Sequence, residues 1–426
     1  MVYTAQPGQI RGKIRIPASK SHTIRALLIA SFAQGRSVIY NPLHSDDADS
    51  CVLACRMLGA TIDTSQPSWI VHGLNPQNFL ASDVINTGNS GTTLYLTTSL
   101  AALGEHWTFF TGDHQIRKRP ATNLLKALEG LSVQVIVAKN NGCAPYAVRG
   151  PWRGGRVSIE CPTSQYLSSL LLAAPLAPSG TVTEIEVPLL YERPYAEMTL
   201  DWLAQQNIQL ESKPDLSYFR INGGQTFTPF EKSVPADWSS ATFFLVAACV
   251  SGGEVTLEGL DLADSQGDKA VLTMLQKMGA NVKVETQHEG GQLITISARD
   301  GLHGAVLDLN ETPDALPALA VAGCYAEGET HLVNVPQARL KETDRIAVMA
   351  HELASLGASI EEKPDGLVIR HSRLLGGEAE SHHDHRVAMS LAIAALGSQK
   401  PIVINHAEAA SVTFPEFFDL LEQLRQ

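Results

Sequence analysis

Six segments of the chain share one hydrophobic pattern: a few small polar residues, a long Ala- and Leu-rich run apolar almost all round, then glycine or a turn. They are SKSHTIRALLIASFAQG from Ser19, NSGTTLYLTTSLAALG from Asn89, TSQYLSSLLLAAPLAPSG from Thr163, DWSSATFFLVAACVSGG from Asp237, TPDALPALAVAGCYAEG from Thr312 and HDHRVAMSLAIAALG from His383. Their starts lie about 70–75 residues apart, and self-similarity at a fixed period marks repeated structural units. A helix without a polar face has to be buried on all sides.

Each repeat carries a second helical pattern about 25–35 residues further on, as in DSCVLACRMLGATI, ATNLLKALEGLSVQV, AEMTLDWLAQQNIQL, DKAVLTMLQKMGANV, DRIAVMAHELASLGASI and FPEFFDLLEQL. Here apolar residues recur at three- and four-residue spacing, so one face is buried and the helix covers the first. Alternating segments such as ANVKVET follow and read as strands. Single cores stop growing near 250–300 residues, so six repeats fit two domains of three better than one of six. The break is expected near Val234–Pro235. A second crossing is expected near Pro17–Ser19, with the strand KIRIP belonging to the other domain.

Composition narrows the classes. With 44% apolar and 18% charged residues the chain is neither disordered nor a coiled coil, and its 426 residues are long enough for large cores. A net charge of −12 gives no bulk basic footprint for nucleic acid or an anionic membrane, but leaves room for a local basic cleft. Among six cysteines only Cys51 and Cys55 are close, inside an apolar helical pattern, so buried free thiols and a reducing cytoplasm are expected. The start lacks the pattern of a signal peptide, and apolar stretches such as TFFLVAACV fall short of the roughly 18 residues that span a bilayer.

The chemistry concentrates at the helix starts. A helix N-terminus offers free N–H groups and a positive dipole end, which suit anions. SKSHTIR sets Lys20, Ser21 and Arg25 within one turn and a half; NTGNSGTT has Gly88 and Gly91; TGDHQIRKRP packs Arg117, Lys118 and Arg119 before a helix. RLKETDR holds Arg339, Lys341, Glu342, Asp344 and Arg345, and HHDHR holds His382, His383, Asp384, His385 and Arg386. No P-loop or dinucleotide fingerprint is present, and HHDHR lacks the spacing of a zinc motif, so no metal is expected. Each patch alone reads as a solvated face. Several at equivalent ends of repeated helices point to a shared pocket for polyanions.

Taken in order, PASKSHTIRALL, NTGNSGTT, TGDHQIRKRP, TSQYLSSLL, DWSSATFFL, TPDA, RLKETDR, DHRVAM and TFPEFF resemble the 5-enolpyruvylshikimate-3-phosphate synthases of the enolpyruvyl transferase family. The resemblance runs from about Ile14 to Leu424, and RLKETDR with DHRVAM is its most specific part. It implies an α/β (α+β) fold of two domains, 19–234 and 1–18 plus 235–426, each of three βαβαββ repeats with buried helices in an inside-out α/β barrel. It implies an active site in the cleft between them, closing on phosphoenolpyruvate and shikimate-3-phosphate. The family moves the enolpyruvyl group to the shikimate 5-hydroxyl and releases phosphate, by addition then elimination, without metal or organic cofactor. Its members are cytoplasmic enzymes of aromatic amino-acid biosynthesis; small-molecule substrates are the only partners expected, and the chain is expected to be a monomer.

Position by position, the resemblance makes Lys20 the lysine between both substrates, Asp314 the general-base candidate and Glu342 the group exchanging a proton with the methylene carbon. Lys20, Ser21, Arg25, Thr163, Ser164, Gln165, Asp314, Gln337 and Lys341 match the shikimate-3-phosphate set. Lys20, Gly91, Arg119, Gln165, Arg345 and Arg386 match the phosphoenolpyruvate set. Arginine suits the second role because it grips carboxylate and phosphate bidentately.

Besides Gln337, which stands where an asparagine is usual, four positions depart from the family pattern. Tyr95 stands where an arginine is usual, Val412 where a lysine is usual, and Ile24 where an asparagine is usual. Glu192 stands where a serine usually touches the shikimate phosphate, and a carboxylate there repels the phosphate unless Arg193 neutralises it or it turns away. These departures leave two alternatives: an enolpyruvyl transferase with a different acceptor, or a non-catalytic homologue. The related UDP-N-acetylglucosamine transferases are disfavoured, because their loop cysteine falls at His114.

Overall fold

The computed structural model describes residues 1–76, 79–286 and 291–426. The chain divides into a central unit, Lys20–Val234, and a terminal unit made of Met1–Ser19 with Pro235–Gln426.

In the central unit the three all-apolar patterns become helices α1 (Lys20–Ser31), α3 (Gly91–Ala101) and α5 (Ser164–Ala173), and the amphipathic ones become α2 (Asp46–Leu58), α4 (Thr122–Gly130) and α6 (Arg193–Gln205). Helix α3 packs on both α1 and α5, and every residue of α3 is buried. Such burial includes hydroxyls, which have to be satisfied inside. Thr98 donates to the Leu94 carbonyl (2.7 Å) one turn back, and Ser169 of α5 donates to Ser99 of α3 (2.6 Å).

Each repeat lays a sheet against these helices. Gly155–Cys161 pairs in parallel with Val182–Leu190, which pairs antiparallel with Tyr218–Asn222, and Leu210–Ser212 closes the order. A second sheet runs Ile85–Asn86, Thr108–Thr111, Tyr146–Arg149, Gln134–Val137. A third runs Glu231–Ser233, Arg36–Tyr40, Trp69–His72, Thr61–Asp63. In the first two sheets the parallel pair follows from the intervening buried helix, α5 or α3, which carries the chain back to the same end; in the third it joins strands far apart in the chain.

The terminal unit repeats the plan. Helices α7 (Trp238–Val250), α9 (Leu316–Tyr325) and α11 (His385–Ala395) are buried and contact one another pairwise, while α8 (Ala270–Lys277), α10 (Arg345–Ser355) and α12 (Phe417–Leu424) have one buried face. Strand Arg11–Arg15 precedes α1 in the chain, yet it pairs in parallel with Glu254–Leu260 of the terminal unit. Conversely, Glu231–Ser233 precedes α7 but pairs with Arg36–Tyr40 of the central unit. The two leading strands are therefore exchanged.

One repeat departs from the βαβαββ expectation. The sheet around α11 has three strands, Gly377–Glu380 parallel to Ile402–Asn405, with Val2–Ala5 antiparallel on its far side. The N-terminal segment thus supplies the antiparallel strand that the other repeats take from their own hairpins.

No described helix is long and apolar enough to cross a membrane. All six cysteines are buried and free, and burial pushes the Cys161, Cys249 and Cys324 thiols up to about 12.

Candidate active site

In the terminal unit the starts of α10 and α11 and the turn before α9 bring the predicted residues into one ion cluster. Asp344 caps α10, accepting from the Ala347 amide (3.0 Å), and Asp384 caps α11, accepting from the Arg386 amide (2.9 Å). These caps fix where Arg345 and Arg386 leave the backbone. Arg345, 1% exposed, donates Nε to Asp384 (2.8 Å), Nη1 to Asp314 (2.8 Å) and Nη2 to Glu342. Asp314 also takes Arg386 at 3.0 Å and Lys341 at 3.8 Å. Predicted members Asp314, Lys341, Glu342, Arg345 and Arg386 are thus brought together. Gln337 lies buried on the adjoining segment and donates to the Asn310 carbonyl (2.9 Å).

Two carboxyls of this cluster are held acidic. Burial alone pushes Asp314 up, but Arg386, Lys341 and Arg345 together outweigh it and hold the group well below the usual carboxylate range. Asp384 follows the same balance: burial raises it, Arg345 pulls it further down, and the result lies below the ordinary value. Burial would lower Arg345 in turn, but Asp384, Glu342 and Asp314 reverse that.

The central unit gathers its set differently, with fewer charges and more helix ends. Lys20, the first residue of α1, pairs with buried Asp47 in the first turn of α2 (2.9 Å). Gly91 opens α3 behind the Ser90 cap, and a Cβ at this position would collide with the guanidinium of Arg119. Glycine here is what lets Arg119, itself 8% exposed, lie against the helix start. Gln165 of α5 reaches Thr92 of α3 (3.3 Å), joining the two starts. Arg25 is committed to structure: it donates to Thr199 (2.9 Å) and to the Tyr195 and Ser21 carbonyls (2.9 and 3.0 Å). Burial pulls its pKa down to about 10, so it stays charged at neutral pH.

Tyr95, Ile24 and Glu192 have physical accounts, and nothing in the structure explains Val412. Tyr95 is buried, stacks edge-on against Tyr166 and donates to the carbonyl of Pro120 (2.9 Å), the residue after Arg119. Tyr166 bonds the same carbonyl. An arginine at this place is thus exchanged for a clamp on the Arg119–Pro120 link. Ile24 is fully buried packing, and Val412 ends a 3₁₀ turn over Ala407–Val412. Glu192 neither turns away nor pairs with Arg193, whose guanidinium goes to Glu197 (2.8 Å) and the Pro214 carbonyl (2.7 Å). Its carboxylate enters the start of α5, where Thr163 and Ser164 donate to it.

Two buried acids were missed by sequence reasoning: Asp47, which orients Lys20, and Asp384, which orients Arg345. Asp384 is visible only as a cap in DHR, and Asp47 stands 27 residues from its lysine. HHDHR does not act as a unit. Among the described residues one group has metal-ligand geometry, the exposed His383, His406 and Glu408, with ligand atoms within 4.8 Å of one another. It draws one residue from HHDHR and two from a segment that no spacing in the sequence linked to it.

Comparison with known proteins bears on the whole chain. The family model described as EPSP synthase (3-phosphoshikimate 1-carboxyvinyltransferase) matches residues 4–421. A 3-phosphoshikimate 1-carboxyvinyltransferase of Acetivibrio thermocellus is 50% identical over 423 residues, covering 99% of this chain and 98% of that protein. One of Ruminiclostridium cellulolyticum is 48% identical over 419 residues, covering 98% and 97%. Among solved structures, an EPSP synthase of Acinetobacter baumannii superposes with a TM-score of 0.82 at 28% identity, over 100% of this chain and 98% of that one. The chain belongs to the EPSP synthase (3-phosphoshikimate 1-carboxyvinyltransferase) family.

Proposed function

We propose that this chain transfers the enolpyruvyl group of phosphoenolpyruvate to the 5-hydroxyl of shikimate-3-phosphate and releases phosphate. The observation that carries the reading is the ion cluster in which Asp314, Lys341, Glu342, Arg345 and Arg386 meet, within a chain that matches the family from end to end.

The chemistry asks for two opposite acid–base roles and for cations. Protonation of the methylene carbon makes C2 of phosphoenolpyruvate electrophilic, the acceptor hydroxyl attacks it, and the tetrahedral adduct then returns a proton and expels phosphate. Glu342 is assigned the exchange with the methylene carbon, and Asp314 the acceptor hydroxyl; Lys20 serves as the lysine that contacts both substrates. Arg119, Arg345 and Arg386, with Gly91 and Gln165, hold phosphoenolpyruvate. Ser21, Arg25, Thr163, Ser164, Gln165, Gln337 and Lys341 hold the acceptor, Arg25 through the fold around it.

Asp314 is a weak base while three cations face it. Anionic substrates that engage Arg345, Arg386 and Lys341 draw part of that positive charge away and return basicity to Asp314. Substrate charge thereby arms the base that the reaction needs. A cytoplasmic location fits the six buried free thiols. A monomer fits two units that each bury their own core, and light scattering tests it.

The test is phosphate release from phosphoenolpyruvate and shikimate-3-phosphate by wild type, Lys20→Ala and Glu342→Ala. Turnover by wild type and loss in both variants is expected. Folded wild type without turnover overturns the reading, and turnover of unphosphorylated shikimate in preference supports a different acceptor.

A further inference from the structure

The start of α5 converges three donors on one oxygen. The Thr163 hydroxyl (3.1 Å), the Ser164 amide (3.2 Å) and the Ser164 hydroxyl (3.1 Å) all donate to Oε2 of Glu192. Glu192 is 2% exposed and stands before α6 in the left-handed backbone region, at φ 57° and ψ 40°. A glutamate is disfavoured in that conformation, so the fold tolerates a local cost while directing the carboxylate inward. The helix end supplies what an anion needs, and an anion of the chain itself occupies it.

Thr163 and Ser164 are also the residues assigned above to the acceptor, and the inference rests on that reading. One set of donors cannot serve a carboxylate and a phosphate together, and the two like charges repel. We propose that Glu192 is the specificity-determining residue of the acceptor site: its carboxylate holds the seat of the acceptor phosphate and leaves it when shikimate-3-phosphate binds. Binding is then an exchange of one anion for another. The exchange subtracts from acceptor affinity and leaves the enolpyruvyl chemistry, which involves other residues, outside its reach. It also lets a helix start hold its donors satisfied between turnovers.

The experiment compares wild type with Glu192→Ser, Glu192→Gln and Ser164→Ala. Calorimetry measures the Kd for shikimate-3-phosphate, and phosphate release at saturating phosphoenolpyruvate measures KM and kcat. In Glu192→Ser both Kd and KM fall by about tenfold or more, kcat does not rise in parallel, and affinity for unphosphorylated shikimate gains nothing. Glu192→Gln, which keeps the shape and removes the charge, moves the same way by less. An unchanged Kd in both Glu192 variants overturns the proposal. So does a raised Kd, which would make the carboxylate a grip on an acceptor hydroxyl. If Ser164→Ala leaves Kd unchanged, the placement of the acceptor phosphate at α5 falls, and the proposal with it. If Ser164→Ala weakens binding while neither Glu192 variant tightens it, only the proposal falls.

Discussion

The two units place polar groups at the starts of buried helices, but they satisfy them by different means. In the terminal unit charge answers charge: Arg345 touches three carboxylates, and Asp314 faces three cations. In the central unit hydroxyls, backbone amides and glycine do most of the work, with Lys20–Asp47 as an ion pair and Glu192 set into a helix end. Both sets have buried members, so the difference lies in the kind of partner. A buried ion network holds side chains in fixed directions, but each member depends on the others; a helix end offers weaker donors that can change partner without stranding a charge.

That contrast can be broken at several points. The largest effect is expected on turnover. Glu342→Gln in one unit and Lys20→Ala in the other should each lower phosphate release by about 10²–10⁴-fold. An effect from one unit alone would end the view that both sets serve one reaction.

Next comes stability. Asp384→Ala leaves Arg345 buried without its principal partner and should cost about 3–5 kcal/mol in urea unfolding. Thr163→Val removes a cap and should cost about 1 kcal/mol. Equal costs would erase the distinction between interlocked and replaceable partners.

The pH dependence of stability sharpens the same point. Asp314 and Asp384 have folded pKa values below the ordinary 3.8, so their stabilisation is present above that value and is lost as pH falls through the folded values. Urea midpoints should hold between pH 7 and about pH 5 as far as these groups decide, then drop on acidification. Asp384→Asn should drop less steeply than wild type over the acid range. A drop as steep as that of wild type, or steeper, would mean that the cluster does not hold Asp384 acidic.

The smallest effect concerns the Tyr95 clamp. Tyr95→Phe removes one hydrogen bond to the Pro120 carbonyl while Tyr166 keeps another, so about 0.5–1.5 kcal/mol of stability is at stake. A rise in KM for phosphoenolpyruvate of about twofold to fivefold, with less change in that for the acceptor, is the expected kinetic sign of a shifted Arg119.

Much of this was legible along the chain, and the reasons are specific. All-round apolar runs beginning at Ser19, Asn89, Thr163, Asp237, Thr312 and His383 can only be buried helices, so α1, α3, α5, α7, α9 and α11 stood out by pattern. Lys341, Glu342 and Arg345 lie within five residues, in the bend that leads into α10, so their closeness in space follows from closeness in the chain. The exchange of strands Arg11–Arg15 and Glu231–Ser233 was half visible, since KIRIP stood apart from the repeat that follows it. The borrowed strand Val2–Ala5 was not, because a four-residue strand carries no sign of its partner.

The site shows the same limit more sharply. Asp384 and Asp47 carry no local sign of their partners, and only the fold turns them onto Arg345 and Lys20. Arg25 stood out as a cation at a helix start, but that packing also gives its guanidinium Thr199 and two backbone carbonyls was not visible in the chain. For Glu192 the sequence supplied the anomaly and the wrong remedy: the neighbouring Arg193 pairs elsewhere, and the carboxylate finds its donors 28 residues away at Ser164.

The sequence by itself determined the repeat, the buried helices and the kinds of groups at their starts, because periodicity and helix ends are local properties fixed by a few neighbouring residues. The tertiary structure alone decided which charge faces which. Ion pairs and donor sets close over tens to hundreds of residues, and their energies depend on burial, a property no short stretch of chain possesses.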